Sequence, residues 1–336
     1  MINVGVIGYG YWGPNIVRNF MANPDLNVLK VSDMSLDRLE VLKKNHPEIS
    51  AEQDANSILN DPNIDLVGII TSTSTHFNLA KTALENGKHV FVEKPFTATS
   101  AEAKELIELA DKKNLLIMVD HTFLFTGAVM KMKELTSNGT LGNLYYYDSV
   151  RVNLGLFQYD ANVIWDLAPH DLSIMNYINN GVKPISVNAV GSDHIGKGFE
   201  DVAYLTVKCE NNFIGHFHAN WLSPVKVRKT LVAGDKKMLV WDDLEVDEKI
   251  KIYNKRVEEV QDKSEFYKLQ VKYHHGDILV PVVEMTEALK LETEHLVDCI
   301  KNKKKPINGG EEGLEVVKIL EASDLSLKNG GKEILL

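Results

Sequence analysis

The sequence predicts an α/β protein whose two halves are built differently. Through about residue 120, short and nearly all-apolar runs alternate with helical patterns, which indicates parallel strands buried on both faces between helices. Beyond about residue 140, apolar and polar residues alternate within the runs, which indicates strands buried on one face only. We therefore expect an N-terminal doubly wound domain over 1–122. An α+β domain with a large, mostly antiparallel, open-faced sheet should follow over 123–336.

The first half divides into strands and helices in strict alternation. Strands are predicted at Val4–Ile7, Val28–Ser32, Leu66–Thr71, Lys88–Val92 and Leu115–Val119. Helices are predicted near Pro14–Ala22, Leu36–Asn45, His76–Glu85 and Ser100–Lys113. Right-handed crossovers would place these helices on both faces of one parallel sheet.

The second half reads as a series of strands closed by two helices. Strands are predicted at Leu144–Val152, Ser186–Gly191, Val202–Cys209, Phe213–Trp221, Val227–Ala233 and Met238–Trp241. Helices are predicted around 126–137 and at Met285–Ile300 and Glu311–Leu327. The helix around 126–137 fits either half, and the last helices could pack back on the first domain.

Composition narrows the classes of partner. With 37 basic and 47 acidic residues the net charge is −10, which opposes nucleic acid or an anionic membrane as a partner. Cys209 and Cys299 are too few for a disulfide framework. The first residues enter a strand without a basic leader, and no apolar run approaches the ~18 residues of a membrane helix. We expect a cytoplasmic protein.

A glycine-rich turn follows the first strand, reading Gly8-Tyr9-Gly10-Tyr11-Trp12-Gly13. It opens a helix, and Asp33 lies 20 residues after Gly13 at the end of the second strand. This is the context of a dinucleotide-binding turn. Gly8 would allow the tight turn, Gly10 would let a pyrophosphate approach the backbone, and Gly13 would let the helix pack closely. Tyr11 and Trp12 should also line the cofactor.

The carboxylate of Asp33 favours NAD over NADP. It would accept hydrogen bonds from the adenosine ribose hydroxyls and repel a 2′-phosphate. The next residues, Met34 and Ser35, offer no cation. The alternative is that the glycines only form a turn and Asp33 only caps a helix.

Two further patterns carry candidate catalytic groups. Glu93-Lys94-Pro95 follows a strand, where ligands of open α/β sheets bind, so Lys94 could help to move a proton. Asp166 and His170 are four residues apart, which places both on one face of a helix starting there. Alternatively, Lys94 belongs to a surface Glu–Lys pair, Asp166 is an N-cap, and His170 is a buried histidine bonded to backbone.

These motifs resemble the glucose–fructose oxidoreductase/inositol dehydrogenase (Gfo/Idh/MocA) family over essentially the whole chain. The resemblance rests on the Gly8–Gly13 turn, the run from His76 to Val90, Glu93-Lys94-Pro95, and Asp166-Leu167-Ala168-Pro169-His170-Asp171. It implies a Rossmann domain followed by an α/β domain with an open sheet. It also implies NAD(P)-dependent oxidation or reduction of a sugar or polyol hydroxyl.

The resemblance also assigns site residues. Lys94, Asp166 and His170 would be catalytic or substrate-orienting, and His76 and Glu93 would line the cofactor pocket. We expect Thr71 and Ser72 to line it too, and Arg151, Asn153 and Tyr159 to contact substrate unless they are ordinary sheet and loop residues. The variant residues Asn162-Val163-Ile164-Trp165 and Ala168-Pro169 depart from the family pattern and resemble members of polysaccharide and nucleotide-sugar pathways.

The remaining polar patterns indicate no metal. His216 and His218 share a strand face, but no third ligand has useful spacing, and His274-His275 is no better. The family's open sheet commonly packs against another subunit, so the resemblance implies a homo-oligomer, a dimer or tetramer.

The best substrate hypothesis is a nucleotide sugar of the UDP-N-acetylhexosamine type, oxidised at C3. Alternatives are an inositol or polyol dehydrogenase, a keto-sugar reductase, or a non-catalytic NAD-binding sensor.

Overall fold

The computed structural model describes residues 1–155, 157, 161–259 and 271–336. Its internal contacts divide the chain into two compact units. Unit one comprises Met1–Phe125 and Thr286–Glu321, and unit two comprises Thr126–Met285 and Ala322–Leu336. The first segment thus ends three residues beyond the boundary expected from sequence.

Unit one contains a six-stranded, wholly parallel sheet in the order β3-β2-β1-β4-β5-β6. Its strands are β1 (Ile2–Ile7), β2 (Leu26–Ser32), β3 (Ser50–Glu52), β4 (Leu66–Ile69), β5 (His89–Glu93) and β6 (Ile117–Asp120). The helices between them are α1 (Gly13–Ala22), α2 (Leu36–Asn45), α3 (Asn56–Leu59), α4 (Thr73–Glu85) and α5 (Ser100–Lys113). The predicted parallel α/β architecture is confirmed.

Burial explains why these strands are apolar throughout. Val4, Val6, Leu66 and Val67 are completely inaccessible to solvent, because helices cover both faces of the sheet. The strand order reverses between β1 and β4, and ligands of such sheets bind beyond the carboxyl ends of the strands at this point.

Unit two contains a nine-stranded sheet in the order β14-β13-β12-β11-β7-β10-β9-β8-β15. Its strands are β7 (Leu144–Leu154), β8 (Pro184–Ser192), β9 (Val202–Cys209), β10 (Ile214–Asn220), β11 (Leu222–Gly234), β12 (Met238–Asp242), β13 (Ile250–Glu259), β14 (Val271–Leu279) and β15 (Ile334–Leu335). Neighbouring strands are antiparallel except β7 and β10. The expected mostly antiparallel sheet is confirmed, but β13 and β14 were not predicted.

One face of this sheet packs against a helix, and the other carries exposed and half-buried side chains. Helices α6 (Gly127–Ser137) and α7 (Val163–Ile178) belong to this unit, and α7 packs on β7, β9 and β10. Phe217 and Ala219 are buried. On the opposite face Tyr204 stacks on the rings of His216 and His218.

The returning segment completes unit one with α8 (Ala288–Asn302), and α9 (Gly310–Lys328) carries residues of both units. The first of these helices was expected to start at Met285, which instead precedes it and is 66% exposed. Helix α8 buries Leu289 and Leu296 and packs against α1 and the turn at 122–125.

Two features are absent from the described residues. No helix there is long and apolar enough to cross a membrane. No three His, Cys, Asp or Glu side chains there are grouped to bind a metal ion.

Candidate active site

The glycine-rich turn is a close approach between the ends of β1 and β4. Gly8 has φ of +103°, and a Cβ added to it would lie 2.1 Å from the carbonyl oxygen of Ile70. A Cβ on Gly13 would lie 2.5 Å from the carbonyl oxygen of Gly8. Both positions therefore require glycine for local packing. Around Gly10 the nearest atom to such a Cβ is the Arg38 guanidinium, at 3.5 Å, so the backbone there remains open to a ligand.

Asp33 is tied to both the turn and the start of α2. Its carboxylate accepts hydrogen bonds from the Tyr9 N–H at 2.8 Å and the Ser35 N–H at 2.8 Å. Asp33 thus stabilises both the turn and the residues that start α2. These structural contacts are compatible with a role in binding the cofactor. Tyr11, in the same turn, is 87% exposed.

Arg38 is a site residue that the sequence reasoning missed. Its guanidinium lies 3.3 Å from Asp33 Oδ2 and is 54% exposed. Only Met34 and Ser35 were considered as neighbours of Asp33, yet the first turn of α2 returns Arg38 to the same carboxylate. An arginine in the first turn of the helix after such an aspartate is the signal that could have found it.

His76 joins two loops at the carboxyl edge of the sheet. The ring is fully buried, with Nδ1 3.0 Å from the Pro95 carbonyl oxygen and Nε2 3.1 Å from that of Thr71. Burial lowers its pKa, and the nearby Lys94 charge lowers it further. The ring therefore stays neutral, and because a neutral imidazole has a single N–H it donates to only one of these two carbonyls at a time. Contact between His76 and a cofactor remains a prediction.

The Glu93-Lys94-Pro95 segment lies at the same edge. Glu93 ends β5 and pairs in register with Asp120, the last residue of β6. Lys94 is half-buried, and its bond to Pro95 is cis. Ser72 begins α4 as its N-cap residue.

Three buried polar residues at this edge were not predicted as site residues. Asp120 accepts a hydrogen bond from the Trp12 indole N–H at 2.8 Å. His121 follows it at 1% exposure, and no described residue hydrogen-bonds either ring nitrogen. Burial, followed by the Lys94 charge, lowers the pKa of His121 to about 3. Glu292 on α8 is also buried, 1% exposed.

Unit two holds Asp166 and His170 one turn apart on α7. The helix was expected to begin at Asp166, which is wrong. Asn162 is the N-cap, and its side chain accepts from the Ile164 and Trp165 N–H groups at 3.1 and 3.2 Å. Asp166 instead accepts from the Trp221 indole N–H at 2.9 Å. The side chain is thus oriented by the sheet rather than used as a cap.

Pro169 lies inside α7. A proline there has no N–H to donate to the carbonyl four residues earlier, that of Trp165. The helix thus loses one backbone hydrogen bond between Asp166 and His170.

The three predicted substrate contacts have different outcomes. Arg151 is only 4% exposed, and its guanidinium makes a two-point ion pair with Asp171 at 2.7 and 3.0 Å. It therefore fastens β7 to α7, which speaks against direct substrate contact. Asn153 is half-buried and donates to the Leu154 carbonyl at 3.1 Å. Tyr159 lies outside the described residues.

Within each unit the predicted residues come together. Unit one gathers the turn, Asp33, Thr71, His76 and Lys94 at one sheet edge, and unit two places Asp166 and His170 on one helix face. Lys94 belongs to unit one and His170 to unit two, and that they meet at one site remains a prediction.

His121 generates a stability prediction. Because its folded pKa lies below the ordinary 6.5, the unfolded chain binds a proton first, and stability falls as pH drops from about 6.5 to about 3. We expect His121→Phe to remove this loss. The free energy of unfolding of the variant minus that of wild type should therefore be about 2 kcal/mol larger at pH 5 than at pH 7.

Urea unfolding at both pH values measures this difference. His275→Phe, at an exposed position, is the control and should leave the pH dependence unchanged. Identical pH dependence in wild type and His121→Phe would show that burial does not keep this ring neutral.

Comparison with known proteins places this architecture in a family. The family described as "Oxidoreductase family, NAD-binding Rossmann fold" matches residues 2–121. The description "GFO/IDH/MocA C-terminal domain" matches residues 129–240.

Curated relatives match over parts of the chain. The uncharacterized oxidoreductase YdgJ of Escherichia coli is 38% identical over 178 residues, 50% of this chain and 51% of that protein. Myo-inositol 2-dehydrogenase of Thermotoga maritima is 29% identical over 224 residues, 64% and 67%. The NADP(+)-dependent scyllo-inositol 2-dehydrogenase IolW of Bacillus subtilis is 33% identical over 149 residues, 44% and 40%. The matches thus span from less than half to two thirds of these relatives.

A solved structure matches over nearly the whole length. UDP-N-acetylglucosamine 3-dehydrogenase GnnA from Acidithiobacillus ferrooxidans superposes with a TM-score of 0.81 at 22% identity, covering 98% of both chains. At this identity the likeness establishes the fold. With both domain descriptions matched in order, the chain belongs to the Gfo/Idh/MocA oxidoreductase family.

Proposed function

We propose that this protein is an NAD(P)-dependent dehydrogenase that oxidises a secondary hydroxyl of a sugar. One observation carries the proposal: the Gly8–Gly13 turn, Asp33 and Lys94 lie together at the carboxyl edge of the parallel sheet. This edge is where dinucleotides bind in such folds, and a lysine there can serve proton chemistry. Named dehydrogenases among the relatives support the reaction class.

The residues present fit a dinucleotide. Gly10 leaves the backbone open beside the N-terminus of α1, where amide groups can bind a pyrophosphate. Asp33 offers its carboxylate to ribose hydroxyls. The bound cofactor supplies the acceptor for the hydride that leaves the substrate carbon.

The protein's part is to bind the sugar and move one proton. His170 takes the hydroxyl proton, since an imidazole exchanges protons near neutral pH. Asp166, fixed by the Trp221 indole, orients the sugar or the imidazole. Lys94 stabilises the developing alkoxide and can relay the proton. This assignment requires Lys94 and His170 to reach the same hydroxyl.

We infer a nucleotide sugar as the substrate class, with C3 as the oxidised carbon and a 3-keto sugar as product. This choice rests on the residues at 162–165 and 168–169, which depart from the family pattern and resemble members of nucleotide-sugar pathways. A second candidate is a polyol such as inositol, or a keto sugar reduced in reverse, and the two inositol dehydrogenases among the relatives favour it.

A panel of substrates separates these candidates. Purified protein is mixed with NAD⁺ or NADP⁺ and UDP-sugars, inositols or simple hexoses, and reduced cofactor is followed by absorbance. We expect turnover with a UDP-N-acetylhexosamine. Turnover of inositol alone would overturn the substrate choice, and binding of NAD without turnover of any compound would support a sensor.

Lys94→Met tests the proposed chemistry. The substitution keeps the length of the side chain and removes its charge, so we expect cofactor affinity within about twofold of wild type and turnover reduced about 100-fold or more. Lys112→Met, at an exposed position on α5, is the matched control and should turn over normally. Wild-type turnover in Lys94→Met would remove Lys94 from the mechanism.

Asp33 and Arg38 should set the cofactor preference in opposite directions. We expect Asp33→Ala to weaken NAD far more than NADP, because the ribose hydroxyls lose their acceptor. Arg38→Ala should weaken NADP more than NAD, because a 2′-phosphate would pair with its guanidinium.

Dissociation constants for both cofactors measure this preference. Arg18→Ala is the control, since Arg18 is also 54% exposed but pairs with Glu287. Equal losses for both cofactors in Asp33→Ala would make that residue purely structural.

A further inference from the structure

Two carboxyl groups meet in the interior of unit one. Asp120 at the end of β6 and Glu292 on α8 are 2% and 1% exposed. The Asn308 amide donates both to Glu292 Oε1 and to the carbonyl of Val119, the residue before Asp120, so the two side chains lie side by side. They can hydrogen-bond to each other once one is protonated. The mechanism proposed above uses neither of them.

Neutral donors surround the pair. Asp120 accepts from the Trp12 indole at 2.8 Å and from the Thr122 hydroxyl. Glu292 Oε1 accepts from the Asn308 amide at 2.9 Å, and that amide also donates to the Val119 carbonyl at 2.7 Å. Three neutral donors from separate parts of unit one, the side chains of Trp12, Thr122 and Asn308, thus fix the two carboxyl groups in place.

The pair forms no ion pair in the part of the chain that the structure describes. Neither carboxyl there contacts a lysine, arginine or histidine, and Glu292 Oε2 has no donor. Glu93, the facing residue on β5, adds charge of the same sign. Lys94 follows Glu93 in the chain, and His121, neutral in the fold, follows Asp120. Two buried carboxyl groups that are in contact and have no ion-pair partner are not both ionised at neutral pH.

We propose that Asp120 and Glu292 share one proton at neutral pH, and that this protonated pair positions the dinucleotide-binding turn through Trp12. A proton on Glu292 Oε2 turns this unpartnered oxygen into a donor toward Asp120. Asp120 then remains the carboxylate that accepts from the Trp12 indole. Burial raises the pKa of both groups, most strongly that of Glu292.

The consequence for the turn follows from where Trp12 lies. It is the N-cap residue of α1, between Gly10 and Gly13, so its indole links the turn to the end of β6. Loss of the shared proton would place two charges in a buried site. The repulsion would push α8 and the end of β6 apart, which displaces Asp120 together with the Trp12 indole bonded to it. Asp120 and Glu292 are thus positioning residues for cofactor binding, and this part of the inference rests on the proposed function.

The experiment compares Glu292→Gln with wild type between pH 6 and pH 9.5. Thermal unfolding reports the fold, NADH fluorescence reports cofactor affinity, and infrared spectroscopy reports a protonated carboxyl band. Binding is measured rather than turnover, because proton transfer in the reaction has its own pH dependence. Glu294→Gln is the matched control, on the same helix with a side chain 50% exposed.

We expect wild type and Glu294→Gln to lose stability as pH rises through the pKa of the pair, because the folded state holds a proton that the unfolded state releases. Above that pKa their NADH affinity should fall by up to tenfold per pH unit, the slope of one linked proton. Glu292→Gln should lack the infrared band, show neither pH dependence, and bind NADH within twofold of wild type at pH 7.

Asp120 variants test the link to the turn. Asp120→Asn retains an acceptor for Trp12 and should keep NADH affinity within about threefold, whereas Asp120→Ala should lose about tenfold. Equal affinities in the two variants would overturn the link to Trp12. An unchanged infrared band and pH profile in Glu292→Gln would overturn the shared proton. If wild type binds no dinucleotide, the proposed function fails. The infrared band and the pH dependence of unfolding still test whether Asp120 and Glu292 share a proton.

Discussion

The site depends on one close approach, between the turn after β1 and the end of β4. The absent Cβ of Gly8 lets the turn pass beside the Ile70 carbonyl, and the Gly8 N–H donates to the Ser32 carbonyl at 2.7 Å. A side chain at this position would separate the turn from the strand ends. Asp33, the loop held by His76 and the Glu93-Lys94 segment would then lose their common edge.

Around this approach the sheet edge is built from buried polar groups that restrict its geometry. His76 lies between two loops and donates to a carbonyl of one of them, Asp120 fixes Trp12, and Asp33 fixes Tyr9. Each buried polar group costs free energy unless it is hydrogen-bonded, so these contacts maintain a defined arrangement. Charge is limited in the same way, because burial keeps His76 and His121 neutral near Lys94.

Sequence reasoning succeeded where structure is set locally and failed where it depends on distant segments. Helices α2 and α5 were predicted with their observed bounds, since their periodicity is clear and Thr99 and Glu102 form a capping box before α5. Strand β3 has only three half-exposed or exposed residues, too few for a pattern. Arg38 could have been found by following the helix after Asp33. Glu292 could not, because only the return of α8 to unit one places it against Asp120.

The most direct measurement is a crystal structure of the protein with NAD⁺ or NADP⁺ and the sugar that it turns over. We expect the pyrophosphate on the turn near Gly10, and one hydroxyl within hydrogen-bond reach, about 2.6–3.2 Å, of both Lys94 Nζ and a ring nitrogen of His170. A cofactor bound away from the turn, or a reacting hydroxyl that only one of these side chains reaches, would contradict it.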